Sequence, residues 1–149
     1  VGTEITTAFY VNKHQALHGF INLKRSLDHG MTSECVVDQE NNEALEKIIK
    51  KIIKHSHISG SANLQSILKE NGEIIPFELN CRISGTNSIR SNFGFEDVKY
   101  TLEECLYDIP LSKPNIIDGI AVRMMVDIIY KHQKDKKSLT DNSSPSFIF

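Results

Sequence analysis

Asn71-Gly72 stands between two β-prone runs, and this dipeptide constrains the fold more than any other feature of the chain. Asn-Gly flanked by such runs is the strongest short-range hairpin signal and predicts a two-residue type I′ turn. A two-residue loop sets register: Glu70 faces Glu73, Leu68 faces Ile75, Gln65 faces Glu78 and Asn63 faces Asn80. Side chains alternate along a strand, so Asn63, Gln65, Glu78, Asn80 and Arg82 share one face. Leu64, Leu68, Ile75, Phe77 and Leu79 take the other. Alternation of this kind is also what the wet face of any antiparallel sheet shows. Here, however, the polar face combines a carboxylate, carboxamides and a guanidinium. Oxygen donors suit a hard cation such as Mg²⁺, and Arg suits a phosphate or carboxylate.

The remaining pattern predicts further strands over residues 4–11, 16–24 and 31–37, with a turn at 12–15. Leu45, Ile48, Ile49, Ile52 and Ile53 follow the spacing of one helix face, and Lys47, Lys50, Lys51 and Lys54 fill the rest. Acidic residues early and lysines late suit the helix dipole. Residues 85–93 read as a loop or short helix. Residues 96–106 read as a helix with Val98, Leu102 and Cys105 or Leu106 inward. Alternation over Ile116–Tyr130 reads as a strand. The polar, lysine- and serine-rich stretch from His132 onward reads as a disordered tail. The expected architecture is α+β, an antiparallel sheet with helices packed on one face. The expected division is a domain over 1–131 and a tail over 132–149.

A chain of 149 residues with 40% apolar content can bury one core. Its net charge of −2 offers nucleic acid no basic patch. No apolar run approaches the roughly 20 residues of a membrane span. Cys35, Cys81 and Cys105 match neither zinc spacing nor a disulfide framework, which points to a reducing cytoplasm. Cys35 and Cys105 are expected to be buried small hydrophobes. His55 and His57 are two apart on a helix and do not face each other. There is no P-loop, dinucleotide fingerprint or G-x-S-x-G elbow.

An ordered set of short segments adds a resemblance. It comprises Gly2-Thr3-Glu4-Ile5-Thr6, then Lys24-Arg25 with His29-Gly30-Met31-Thr32, and Gly60-x-x-Asn63-x-Gln65. Phe77-Glu78-Leu79-Asn80-Cys81-Arg82-Ile83-Ser84-Gly85 and Gly94-Phe95 follow. In these residues the chain resembles the ATP-grasp superfamily, nearest to the carbamoyl-phosphate-synthase large-chain group and its relatives. The resemblance implies the C-terminal half of an ATP-grasp domain. It implies Mg²⁺, or Mn²⁺ in its place, held with ATP by Gln65, Glu78 and Asn80. Arg82 would be the catalytic cation on the transferred phosphoryl or acyl phosphate. Glu4 would lie near the nucleotide ribose. Lys24 and Arg25, flexible cations before the His29-Gly30 turn, suit a phosphate of the nucleotide, although an exposed strand end would look the same, and Thr32 is a further candidate for nucleotide binding. Relatives usually carry Pro where this chain has Cys81. The implied reaction activates a small carboxylate as an acyl phosphate for attack by an amine or similar nucleophile. The nucleotide-clamping N-terminal half would precede Val1, in cis or as a partner chain, and homo-oligomerisation is left open. The other expectation is a non-catalytic domain of the same fold that binds a partner subunit or an anion.

Overall fold

The computed structural model describes residues 2–124, 128–129 and 147–148. Strands β1 (Gly2–Val11), β2 (Leu17–Asp28) and β3 (Met31–Val37) are followed by helix α1 (Asn42–Ser56). Strands β4 (Gly60–Lys69) and β5 (Ile74–Asn80) then precede helices α2 (Asn87–Asn92) and α3 (Asp97–Cys105). The short strand β6 (Ile120–Val122) completes a six-stranded sheet in the order β5-β4-β1-β2-β3-β6. Every neighbouring pair in it is antiparallel. Two two-residue strands, β7 (Ile128–Ile129) and β8 (Phe147–Ile148), pair separately. The α+β class and the antiparallel sheet match expectation, but helices cover both faces of the sheet and not one, because the buried strand β1 needs cover on each. Among the described residues no helix is long and apolar enough to cross a membrane.

β1 lies near the middle of the sheet and is buried from Ile5 to Val11, so both of its faces must be covered. On one face Leu45, Ile49 and Ile53 of α1 are buried, and Ile49 and Ile53 pack with Phe9, Val11 and Leu64. This is the stripe that the apolar spacing predicted. The other face carries Ala8, Tyr10, Ile21 and Leu23, covered at one end by Phe95 and Tyr100 from the α2–α3 region. α2 and α3 thus add a second layer that stops short of the sheet's other end. That end stays open.

The β4–β5 hairpin turns differently from expectation. Gly72 has φ +83°, but Asn71 is not among the residues at positive φ, and a type I′ turn needs both. Gly72 N–H instead donates to the Lys69 carbonyl (2.9 Å), and Lys69 N–H donates to that of Glu73 (2.9 Å). This is a three-residue loop with Gly in the left-handed position. Near the turn the pairing is therefore Leu68 with Ile74 and Ile67 with Ile75, not Leu68 with Ile75. A bulge then places Phe77 between Pro76, opposite Ser66, and Glu78, opposite Gln65. Proline lacks a ladder donor and settles at edges and bulges; β5 is the sheet edge. The extra residue cancels the offset, so Gln65 faces Glu78 and Asn63 faces Asn80 as predicted. It also shifts Ile75 away from the face of Leu64 and Leu68. The type I′ geometry occurs instead between β2 and β3. There Asp28 pairs Met31, and His29 (φ 48°) and Gly30 (φ 79°) are both left-handed.

Three further expectations are corrected. In α3, Val98 and Leu102 are each 42% exposed and Leu106 is 65% exposed, whereas Asp97, Tyr100 and Glu103 are buried. The helix is rotated by its polar partners. Asp97 accepts from Ser61 and Arg90, and Glu103 accepts from the backbone and hydroxyl of Ser112. Cys105 is exposed; only Cys35 is a buried small hydrophobe. Within Ile116–Tyr130 the regular strands are Ile120–Val122 and Ile128–Ile129; positions 125–127 and 130 lie outside the described residues. Residues 115–119 instead lock onto the α2–α3 turn and β3. Ile117 N–H donates to the Phe93 carbonyl (3.1 Å), and Val37 N–H donates to that of Gly119 (3.0 Å). The disordered-tail expectation also falls outside the described residues, except at Phe147–Ile148.

Gly94 of the Gly94-Phe95 motif explains itself here. Its φ is +88°, and an added Cβ would sit 1.9 Å from the Asn115 carbonyl oxygen. Gly94→Ala combines left-handed strain of roughly 1–2 kcal/mol with a clash against backbone. It is expected to lower the melting temperature by several degrees in a thermal melt. An unchanged melt would show that the 115–119 segment does not rest on this turn.

Candidate functional site

The open end of the sheet face is floored by residues that alternate inward from five strands. On β1 these are Glu4 and Thr6, on β2 Arg25, on β3 Thr32, on β4 Asn63 and Gln65, and on β5 Glu78 and Asn80. A chain of hydrogen bonds joins Glu4, Arg25, Thr32, Gln65, Glu78 and Asn80, while Thr6 donates separately to Asn63. Arg25 donates to Glu4 Oε1 through both Nε (3.1 Å) and Nη2. Its Nη2 also donates to Gln65 Oε1 (2.6 Å), and Nη1 lies 3.5 Å from Thr32 Oγ1. Gln65 Nε2 donates to Glu78 Oε2 (2.6 Å), and Asn80 Nδ2 donates to Glu78 Oε1 (2.9 Å). Arg25 occupies both amide and carboxylate acceptors, so the carboxamide of Gln65 is oriented with its N–H toward Glu78.

Above this floor is a cleft of about 450 Å³. The β2–β3 hairpin contributes Leu27, Gly30, Met31 and Thr32 to its wall, and residues 82 and 84–86 contribute the opposite wall. Arg82 lies beyond the end of β5 and is exposed, and among the described residues its side chain makes one bond, Nη1 to the Ile83 carbonyl (3.3 Å). Its guanidinium is therefore available to an anion. Ser84 Oγ and Thr86 Oγ1 are 2.8 Å apart and add hydroxyls to the rim.

Of the residues singled out from sequence, Arg25, Thr32, Gln65, Glu78, Asn80 and Arg82 all line the cleft. Glu4 does not line it; it backs Arg25 as the counter-ion. Lys24 is the correction. Adjacent strand residues point to opposite faces, so Lys24 is turned away from Arg25. It pairs instead with the buried Asp38 (3.1 Å) and with Glu40 (3.4 Å). Burial acts to lower its pKa, but Asp38 and Glu40 together hold the pKa above the ordinary lysine value.

Three residues that sequence reasoning left out of the site matter to it. Asn63 is 3% exposed and lines the cleft, with its Oδ1 accepting from Thr6 (3.0 Å) and from Arg90 Nη1 (3.4 Å). Its place on the polar face was a usable signal. Arg90 is 1% exposed and forms a buried ion pair with Asp97 (2.9 Å). Burial pulls its pKa down and Asp97 opposes that, leaving a guanidinium that stays charged. Arg123 follows β6 and also lines the cleft. Nothing in the local pattern announced either arginine, because both arrive through long-range packing. Among the described residues no three His, Cys, Asp or Glu side chains cluster as a self-contained metal site.

No protein-family model and no curated protein matches the chain. Solved structures do. The phosphoribosylaminoimidazole carboxylase ATPase subunit from Aquifex aeolicus superimposes with a TM-score of 0.70 at 16% identity, over 93% of this chain and 45% of that one. The N5-carboxyaminoimidazole synthase from Aspergillus clavatus, crystallised with ADP and 5-aminoimidazole ribonucleotide, gives 0.67 at 12% identity, over 84% and 35%. The biotin carboxylase domain of the Hydrogenobacter thermophilus 2-oxoglutarate carboxylase, with MgADP and bicarbonate, gives 0.60 at 14% identity, over 75% and 26%. The chain spans less than half the length of each of these structures. These likenesses show the fold: the chain has the same α+β architecture as part of each of these enzymes.

Proposed function

We propose that this chain is the C-terminal, metal- and phosphate-binding half of an ATP-grasp carboxylate–amine ligase-like enzyme of the carbamoyl-phosphate-synthase large-chain kind, working in the cytoplasm. The observation that carries this reading is the continuous hydrogen-bonded row Glu4–Arg25–Gln65–Glu78–Asn80 along the cleft floor, with Arg82 at its rim. The solved structures with ADP and MgADP support nucleotide binding in the complete protein.

The donor set fits Mg²⁺. Mg²⁺ is usually held by one or two carboxylates and completes its shell with phosphate oxygens and water. Glu78 offers a carboxylate whose two oxygens each hold one amide N–H and keep further lone pairs for the cleft. Asn80 directs its Nδ2 to Glu78, which leaves its Oδ1 as a second oxygen donor. Gln65 positions Glu78, and Arg25 positions Gln65. When bound, the metal would neutralise charge on the phosphate oxygens. Arg82 would stabilise charge on the transferred phosphoryl group or on the acyl phosphate. Phosphoryl transfer depends chiefly on positioning and electrostatics, which is what a pre-bonded row supplies.

Calorimetry with Mg²⁺-ATP tests the reading. The chain alone is expected to bind weakly, because a clamp needs two walls. Supplying the N-terminal half, in cis or as a partner chain, is expected to restore binding. In that complete protein Glu78→Gln removes a formal charge aimed at the cation and is expected to weaken Mg²⁺-ATP binding at least about tenfold. Its thermal melt should stay within a few degrees, since Glu78 is exposed. If Glu78→Gln binds Mg²⁺-ATP like the parent, the chain is a binding domain that kept the fold.

A further inference from the structure

We propose that Asn63 and Arg123 form an anion subsite in the cleft, beside the Glu78–Asn80 pair, and that it receives a second anionic group of the acid substrate. This rests on the functional reading above and extends it: the acid would be a dianion, such as a dicarboxylate, rather than a simple monocarboxylate.

The charge balance of the cleft is the first argument. Three guanidinium groups line it, Arg25, Arg82 and Arg123, against the single carboxylate of Glu78. Arg25 is neutralised from behind by Glu4. Among the described residues, Arg82 and Arg123 bond only to backbone carbonyls, of Ile83 and Gly85 respectively. Two like charges in one cleft repel each other unless an anion lies between or beside them. One anionic group on Arg82 would leave Arg123 unanswered.

The second argument is the way Arg123 is held. Its backbone N–H donates to the Ser33 carbonyl (2.7 Å), which fixes it to β3. Its Nη2 donates to the Gly85 carbonyl (3.2 Å) on the opposite wall. The guanidinium therefore spans the cleft, and a planar group with five donors has most of them left.

Asn63 supplies the third argument. Arg90 can only donate, so the Asn63 oxygen must be the atom that faces it, and Thr6 donates to the same oxygen. The Nδ2 group has no acceptor among the described residues, and it is not one of the fully buried unpaired atoms, so it is a free donor on the cleft that Asn63 lines. The chemistry that answers an amide N–H and a guanidinium together is a carboxylate or phosphate oxygen.

The test uses the 149-residue chain without Mg²⁺ or nucleotide, so that its outcome is separate from the Glu78 result. Calorimetry or amide-shift titration would compare succinate, acetate and inorganic phosphate. Succinate is expected to bind at least about tenfold more tightly than acetate, the difference of one charge-assisted contact. Arg123→Met is expected to remove that preference and leave acetate unchanged. Arg123 is exposed, so this variant should fold; a matching thermal melt confirms it. Lys13→Met, outside the cleft, should bind succinate like the parent. Equal binding of succinate and acetate overturns the proposal. So does a succinate affinity that Arg123→Met does not change, or no succinate binding at millimolar concentration. If only inorganic phosphate binds, and does so through Arg123, the subsite serves a phosphate and the dianionic-acid inference is wrong.

Discussion

Arg82→Ala in the complete protein is expected to lower steady-state ATP consumption by about 10²–10³-fold, the usual loss when one charge-stabilising donor is removed from a reacting centre. Its guanidinium is exposed at the cleft rim and, among the described residues, bonds to one carbonyl. Substitutions at such surface positions usually change stability by less than about 0.5 kcal/mol. The melting temperature should therefore hold while turnover collapses. The loss should fall mainly on kcat, because charge on the transferred group is greatest in the transition state. Arg82→Lys should recover part of the rate: it keeps the charge but loses the planar fork. A coupled assay for ADP release, run beside thermal melts, reads all of this. Activity that survives Arg82→Ala would remove Arg82 from the chemistry, whatever the fold.

The largest stability effect is expected at Asp97. Its carboxylate pairs with Arg90 at 2.9 Å and accepts from Ser61 at 2.7 Å, with both charged side chains 1% exposed. Asp97→Ala leaves a guanidinium buried without a counter-charge. Arg90 already has an unpartnered Nε, so the site offers no spare acceptor. Breaking a buried pair from one side costs about 3–5 kcal/mol, enough here to lower the melting temperature by more than about 10 °C. Arg90→Met with Asp97→Leu should cost less than the two single substitutions added, because no charge is stranded. A double-substitution cycle by chemical denaturation measures the coupling. A loss below 1 kcal/mol for Asp97→Ala would mean that water or another group reaches Arg90. The pair also bears on function: Arg90 holds Asn63, so loosening it should disturb the cleft floor before the sheet itself.

The hairpin shows how far local pattern carries. The two-residue loop expected at Asn71-Gly72 puts Gln65 opposite Glu78 and Asn63 opposite Asn80, and both pairs are present. The turn itself differs, because Asn-Gly is compatible with a three-residue loop as well as a two-residue one. The bulge at Phe77 offsets that difference, and alternation alone does not reveal it. The opposite fates of Lys24 and Arg25 were available in principle, since neighbours on a strand cannot share a face.

The sequence by itself determined strands β1 to β5, the α1 stripe and most of the polar cleft floor. These are recorded in residues a few positions apart, whose spacing must match the repeat of a strand or helix. Tertiary structure alone decided the rotation of α3, which buries Asp97, Tyr100 and Glu103 and exposes Val98 and Leu102. It alone brought Arg90 beneath Asn63 and set Arg123 across the cleft. The physical reason is that a charged side chain settles where its hydrogen-bond partners are. Asn63 lies 27 residues from Arg90 and Gly85 lies 38 from Arg123, beyond the reach of any local repeat.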